Sequence, residues 1–364
     1  MSKNLLFFIL GNLLLFILIY LTRRKRRMNN LLLVFASTFF LLSVVETTYR
    51  NFFNANNRYL QPLPLKPDSL LGTRIAASGV FHPVEQTASG KPIFHATYTI
   101  IADSDARPSK YPHRIGYQNP GSPDPKIVFL GCSFTFGQGV NDSESLPYKF
   151  GALQDVSTLN LGGIGYGIHH VYKIFLDNYA KRDNSNKTFI YTLIPDHVLR
   201  AADVYSWSMG PSFRLSGDSL VYNGTLPAID NKPAYYSSFF GCYSFIKDMV
   251  TTIAENNRAG SVSPEDYQKA YVMIRNLDRY SKATGGHFVL LFWDNLSKPG
   301  DANSEHRRLL EAKLEQLRKD GVTILRVSDI INIRDPRYYI PLDGHPDSLA
   351  YDAVARYLAG RLAS

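Results

Sequence analysis

Two stretches near the start of the chain are patterned unlike anything after them. Leu5 to Leu21 is a near-continuous apolar run, broken only by Gly11 and Asn12, and Leu31 to Val45 is a second, shorter one. As a helix the first would rise about 26 Å, close to the thickness of a bilayer's hydrocarbon core. Arg23, Arg24, Lys25, Arg26 and Arg27 lie between the runs. A cleavable signal peptide fits the first run poorly, because one Lys precedes it, five basic residues follow it, and no small-residue cleavage site is evident. The leading expectation is a transmembrane hairpin over residues 1–50. A single span, with the second run as a signal-like anchor, stands beside it. The positive-inside rule puts residues 22–30 in the cytoplasm, with both termini and everything after Glu46 outside. In a Gram-negative bacterium that compartment is the periplasm.

The remainder reads as two parts. Residues 51–125 are rich in Pro, Asn and Gly and read as a linker followed by a small β-rich segment. Within it, Val80–Phe81 and Phe94 to Ile101 flank the turn-prone Ala88-Ser89-Gly90-Lys91, which predicts a hairpin. From Lys126 onward short apolar runs alternate with longer amphipathic ones. Ile127 to Leu130, Ser157 to Leu161, Thr188 to Ile194, Phe288 to Trp293 and Val322 to Val327 have the pattern of buried strands. Helices are predicted from about Ser145-Leu146-Pro147, and over His169–Lys181, Pro264–Ala283, Ser304–Lys319 and Ser348–Leu362. This alternation predicts an α/β domain over 126–364, a flavodoxin-like parallel sheet sandwiched by helices. Ligands in such sheets gather at the carboxyl ends of the strands. Residues 203–262 interrupt the alternation with Tyr205, Trp207, Phe213, Tyr222, Tyr235, Tyr236, Phe239, Phe240, Tyr243 and Phe245. Such rings suit stacking on sugars or a hydrophobic lid, and equally suit packing over the sheet or toward the membrane.

Charge narrows the partners. The chain of 364 residues carries a formal net charge of +9. Seven Lys/Arg and one Asp/Glu fall within residues 1–50, leaving 33 basic and 30 acidic residues for the rest. The basic excess therefore belongs mainly to the membrane region, and no nucleic-acid partner is expected. The two cysteines, Cys132 and Cys242, make no disulfide scaffold and no zinc pattern, and their spacing does not say whether they pair.

Three segments carry candidate chemistry. Gly131-Cys132-Ser133-Phe134-Thr135-Phe136-Gly137 follows the first predicted strand directly. A serine there stands at the carboxyl edge of the sheet, where a sharp turn exposes its oxygen, and an ordinary strand-to-helix turn, where serine is common, is the alternative. Asp343-Gly344-His345-Pro346 precedes the last helix. An imidazole is the natural base for a hydroxyl nucleophile, and a carboxylate two residues away can hold its other nitrogen. Asn160-Leu161-Gly162-Gly163-Ile164-Gly165-Tyr166-Gly167 follows the second strand, and its glycines let backbone N–H groups approach a developing oxyanion. His169 and His170 carry no metal reading, since neighbours on a helix diverge by about 100° and no acidic or Cys partner lies nearby. No cofactor is expected.

In this order the three segments resemble the SGNH/GDSL hydrolase superfamily over roughly residues 126–364. Residues 131–142, Gly-Cys-Ser-Phe-Thr-Phe-Gly-Gln-Gly-Val-Asn-Asp, look like its first block. The resemblance implies Ser133 as nucleophile and first oxyanion donor, Gly165 as second donor, and Asp343 and His345 as the rest of a triad. Two departures stand out. Cys132 replaces the first block's Asp. The Gly-x-Asn-Asp block expected after the third strand is replaced by Ile194-Pro195-Asp196-His197-Val198-Leu199-Arg200. An ionised Asp196 would repel an oxyanion, so His197 is the candidate third donor, with a purely structural strand-end role as the alternative. The resemblance implies a serine esterase or O-acyltransferase working through an acyl-enzyme. Expected partners are an acylated carbohydrate or lipid-linked glycan, the membrane, and a membrane-bound acyl donor. A rival is a non-catalytic, membrane-anchored glycan-binding or assembly component that keeps the fold.

Overall fold

The computed structural model describes residues 3–22, 24–48, 58–60, 63, 65–87, 91–102, 109–202, 210–226, 262–294 and 304–362, and these fall into two units. In the first, the helices Lys3–Thr22 and Arg26–Thr48 pack against each other as a hairpin. Phe39 lies so close to Gly11 that a Cβ there would stand 2.7 Å from its ring. Asn12 reaches Ser43 at 3.5 Å. Among the described residues, Asn29–Glu46 is the one helical stretch long and apolar enough to cross a membrane, with a mean hydropathy of 1.6. Gly11–Thr22 is apolar over a shorter length. Phe16, Leu21, Leu31, Val34, Phe35 and Leu41 are all exposed on these helices. Apolar side chains exposed in this number suit lipid better than water.

The second unit is built on an eight-stranded sheet. Five strands are parallel: Ile127–Gly131, Thr158–Gly162, Thr188–Leu193, His287–Phe292 and Thr323–Arg326. Numbered along the chain, they lie in the order 2-1-3-4-5, the flavodoxin-like arrangement predicted. Their residue types explain the role. Val128 and Leu130 face one core with Tyr191, Leu193 and Leu290, while Phe129 faces the other with Ile190, Val289 and Leu291. A strand buried on both faces has no polar side, so it reads as a continuous apolar run.

Helices cover both faces. Ile168–Asn178, Pro264–Ala283 and Ser304–Lys319 bury Ile174, Phe175, Leu277, Leu314 and their neighbours in the first core. Leu146–Gln154 and Ser348–Leu362 bury Phe150, Tyr351, Val354 and Leu358 in the second. The register is what positions the site. Gly131 stands level with Gly162 on one side and Thr192 on the other. The loops leaving the first three strands therefore emerge at one edge.

Three strands from before Lys126 extend this sheet in antiparallel fashion. Arg114 of His113–Arg114 pairs with Asn160, Tyr98–Ile101 pairs with His113–Arg114, and Gly79–Phe81 pairs with Tyr98–Ile101. The expected run Phe94 to Ile101 is two strands, broken at Ala96-Thr97; its first part, Pro92–His95, pairs with Val84–Thr87. In the aromatic insertion, Pro211–Ser216 and Ser219–Thr225 form a hairpin turned at Gly217, whose φ of +59° favours glycine. Phe213 and Tyr222 pack there, with Phe213 5.2 Å from Tyr172 and 5.6 Å from Tyr222. The other aromatics of the insertion, and Cys242, lie outside the described residues.

Candidate active site

Gly131 ends the first strand, and the chain turns at once into the one-turn helix Ser133–Phe136. Only glycine fits at 131, because a Cβ would stand 2.2 Å from Thr135 Oγ1. Glycine is also needed at 162, where a Cβ would stand 2.3 Å from the Phe136 backbone nitrogen. The nucleophile segment is thus pressed against the second strand. Its far end is held by Arg114, whose side chain is fully buried. Arg114 Nη1 donates to the carbonyls of Phe136 at 2.9 Å and Gly137 at 2.6 Å, and Nη2 to those of Val140 at 2.8 Å and Thr97 at 3.1 Å. Its Nε pairs with Asp142 at 2.7 Å, and the guanidinium lies 4.2 Å from the Tyr98 ring centre.

Ser133, His345 and Asp343 meet at this edge. Ser133 Oγ is 2.8 Å from His345 Nε2, and His345 Nδ1 is 2.5 Å from Asp343 Oδ2. A carboxylate only accepts, so Nδ1 carries the proton there and Nε2 is left to accept from the serine hydroxyl. The His345 backbone N–H donates to the same Asp343 oxygen at 3.1 Å. The loop that makes this possible is tight. The Ile340 carbonyl accepts from Asp343 N at 3.2 Å and Gly344 N at 3.0 Å, and Ile340 N donates to His345 O at 2.9 Å. Leu342 and Gly344, on either side of the carboxylate, have φ of +66° and +84°. Phe134 packs against the imidazole at 5.4 Å and against Trp293 at 5.4 Å, and Tyr351 donates to the Phe134 carbonyl at 2.8 Å. The Asp343 side chain is nearly closed to solvent, while His345 stays partly open.

Gly165 lies in the loop after the second strand, with φ of +80°. The turn Gly163–Tyr166 is closed by Tyr166 N donating to Gly163 O at 3.1 Å, so the Gly165 N–H takes no part in it. Positive φ at the third position of such a turn is the glycine requirement of a type II turn. Gly163 N donates to Gly131 O at 3.1 Å, which ties this loop to the start of the nucleophile segment. Cys132 is fully buried, and burial pushes its thiol pKa up, so the residue in place of the expected Asp is a neutral thiol.

His197 is not brought together with these groups by its hydrogen bond. Its Nδ1 is 2.7 Å from the Tyr191 hydroxyl, and its ring is stacked on that tyrosine at 14°. The ring is wholly buried, and burial, then the charge of Arg200, drives its pKa well below the usual value. Its Nε2, also buried, has no hydrogen-bond partner among the described residues. Asp196 opens the helix Asp196–Ala201 and is partly exposed. The rings of His169 and His170 stand 4.2 Å apart, with His170 stacked on Tyr166. Among the described residues no group of His, Cys, Asp and Glu is arranged to hold a metal. Sequence reasoning missed Arg114 and Arg200. Arg200 carried one available signal, since it lies three residues beyond His197 on the same helix face.

An α/β sandwich with a Ser–His–Asp relay at the carboxyl edge of its sheet is the frame of a serine-nucleophile site. The chain is similar to several proteins of known structure. One is placed in the lipolytic G-D-S-L family and comes from Desulfitobacterium hafniense, with 13% identity and a TM-score of 0.40 over 65% of this chain and 99% of that one. A second member of that family, from Veillonella parvula, has 10% identity and a TM-score of 0.40 over 65% and 96%. The acetylxylan esterase Axe2 of Geobacillus stearothermophilus has 11% identity and a TM-score of 0.38 over 69% and 96%. No protein-family model matches the sequence, and no curated protein matches it. At these TM-scores the likenesses carry no inference about chemistry, which the side-chain geometry has to supply.

Proposed function

We propose that residues 126–364 hydrolyse or transfer ester-linked acyl groups through an acyl-enzyme on Ser133. The observation that carries this is the continuous hydrogen-bonded chain from Ser133 Oγ through His345 to Asp343. His345 Nε2 takes the serine proton as Oγ attacks the ester carbonyl, and Asp343 stabilises the imidazolium that forms. The carbonyl oxygen becomes an oxyanion, met by the backbone N–H groups of Ser133 and Gly165. Ser133 begins its helix, so its N–H has no acceptor within it. Collapse expels the alcohol, which takes the proton from His345. Water or a sugar hydroxyl then gives a proton to His345 and attacks the acyl-enzyme. Collapse breaks the bond to Ser133 Oγ, which recovers that proton from His345, and releases the acid or the new ester. His197 has no part in this reading, because Tyr191 engages it inside the fold.

The substrate in this reading is an acylated carbohydrate or lipid-linked glycan outside the cytoplasm, reached by a domain tethered through a two-helix membrane hairpin. The apolar stretch Asn29–Glu46 supports a membrane anchor. A fluorophosphonate probe tests the catalytic core of the proposal, since only an activated serine is labelled. The full-length protein is expected to label and Ser133→Ala to stay unlabelled. An unlabelled wild type would point instead to a binding component that keeps the fold, and a labelled Ser133→Ala would place the activated serine elsewhere.

A further inference from the structure

Three segments of the chain meet at Arg200. This residue lies in the helix Asp196–Ala201, which follows the third parallel strand, and is 5% exposed. Its Nη1 donates to the Tyr166 carbonyl at 2.8 Å. Gly167 lies directly against it, and a Cβ at 167 would stand 2.9 Å from Arg200 Cβ. The guanidinium also faces the side chain of Cys132, the residue before Ser133. Asp196, one turn earlier, stands 3.8 Å from Nη2, an ion pair longer than a hydrogen bond.

The two backbone donors of the proposed site come from different loops. Ser133 N–H follows the first strand and Gly165 N–H the second. A single oxyanion needs both at about 2.7–3.1 Å, so the separation of the two loops sets the quality of the hole. We propose that Arg200 is the positioning residue that fixes this separation, holding the Gly163–Gly167 turn by the Tyr166 carbonyl while it abuts Cys132 at the base of the nucleophile segment. The inference rests on the Ser133 reading above. Arg200 touches no reacting atom, and it acts through Tyr166 and Cys132. The turn has two further anchors: Gly163 N donates to Gly131 O at 3.1 Å, and the Tyr166 ring is stacked on His170 at 4.3 Å. Loss of Arg200 therefore shifts the turn rather than releasing it. The planar fork matters as well as the charge. A lysine ammonium offers a point contact at the end of a flexible stem and cannot span two partners in fixed directions.

The test compares full-length wild type, Arg200→Met, Arg200→Lys and Ser133→Ala in turnover of 4-nitrophenyl acetate and in inhibition by phenylboronic acid, which forms a tetrahedral adduct on an activated serine. Arg200→Met is expected to lower kcat about 10- to 100-fold, the scale of a misplaced oxyanion donor, with KM changed less than about threefold. Boronate affinity should weaken in parallel, and Arg200→Lys should recover part of both losses. The acid limb of the kcat/KM profile should stay in place, because the His345–Asp343 pair is untouched. A merely structural role would move KM, yield or stability without this paired loss. Wild-type kcat and boronate affinity in Arg200→Met overturn the assignment. If that variant does not fold, Arg200→Lys decides on the same two readouts, and full wild-type values in it overturn the assignment. A wild type that turns over no ester through Ser133 overturns the underlying reading and this inference with it. An active wild type with insensitive Arg200 variants overturns the role of Arg200 alone.

Discussion

Asp343 holds His345 twice through one oxygen: Oδ2 lies 2.5 Å from the imidazole Nδ1 and accepts the His345 backbone N–H at 3.1 Å. One carboxylate thus fixes both the tautomer of the ring and the direction in which its Nε2 points. An amide at 343 would present an N–H₂ or a neutral oxygen to Nδ1 and lose that control. Asp343→Asn should lower kcat on an aryl ester by about 10²- to 10⁴-fold. Ser133→Ala should cost on the order of 10³-fold or more. Both should keep the wild-type melting temperature to within a few degrees. Either variant retaining most of the wild-type rate would remove its residue from the chemistry.

Arg114 organises the same site from the other side. Its guanidinium serves four carbonyls and the Asp142 carboxylate while fully buried. Truncating one partner of a buried pair typically costs about 3–5 kcal/mol, because the other charge and the carbonyls are left unmatched. Arg114→Ala should lower stability by that order in chemical denaturation. It should also speed amide exchange at Gly137 to Val140, the carbonyl-bearing loop it clamps. Exchange there at the wild-type rate in a folded variant would show that the loop is held by something else.

Two buried histidines predict how stability responds to acid. Burial holds the pKa of His169 and of His197 well below the usual value, with neighbouring His170 and Arg200 adding to it. In the unfolded chain both return to about 6.5. Above that pH neither state binds the protons, and the contribution to stability is fully present. As pH falls below it, the unfolded chain takes up protons that the fold refuses. Stability is then lost at about 1.4 kcal/mol per pH unit for each ring. Melting between about pH 7 and pH 5 should therefore show a steep fall in the wild type. His197→Asn, which does not titrate, should show a shallower fall and near-normal ester turnover. Parallel slopes would mean that His197 is solvated in the fold, and a collapse of kcat would return it to the oxyanion site.

The residues that meet at Ser133 are legible in the sequence for a physical reason. A buried parallel strand is apolar throughout and the turn after it needs glycine, which marks Gly131 as a strand end. The role of Ser133, by contrast, is read only from its order with Asp343 and His345 and the resemblance they carry together. The long helices are equally plain. Ser263 caps Pro264–Ala283, with its hydroxyl accepting from Asp266 N at 3.3 Å, and proline starts the helix. The strand His113–Arg114 is too short to show a period, and what seats it is the buried guanidinium of Arg114. The place of His197 depends on Tyr191, which reaches it across the start of the next helix. The importance of Arg200 is hidden for a different reason. Its partner is the backbone carbonyl of Tyr166, and a backbone atom leaves no trace in residue type.

The two N-terminal helices give the last prediction. Five consecutive basic residues separate the two apolar runs. Holding that cluster on the cytoplasmic side places Ser133 outside if the second run spans, and places the N-terminus outside only if the first run spans too. Alkaline phosphatase fused after residue 125 should be active, and fused after Met28 it should be inactive. The opposite pattern would put the catalytic domain in the cytoplasm and with it any substrate. The N-terminus separates two spans from one. In a Cys242→Ser background, where Cys132 is buried, Ser2→Cys should react with a membrane-impermeant maleimide on intact cells. Protection of Ser2→Cys, with labelling only after lysis, would leave the second run as the single anchor. The exposed apolar face of the first helix would then need a cover other than lipid.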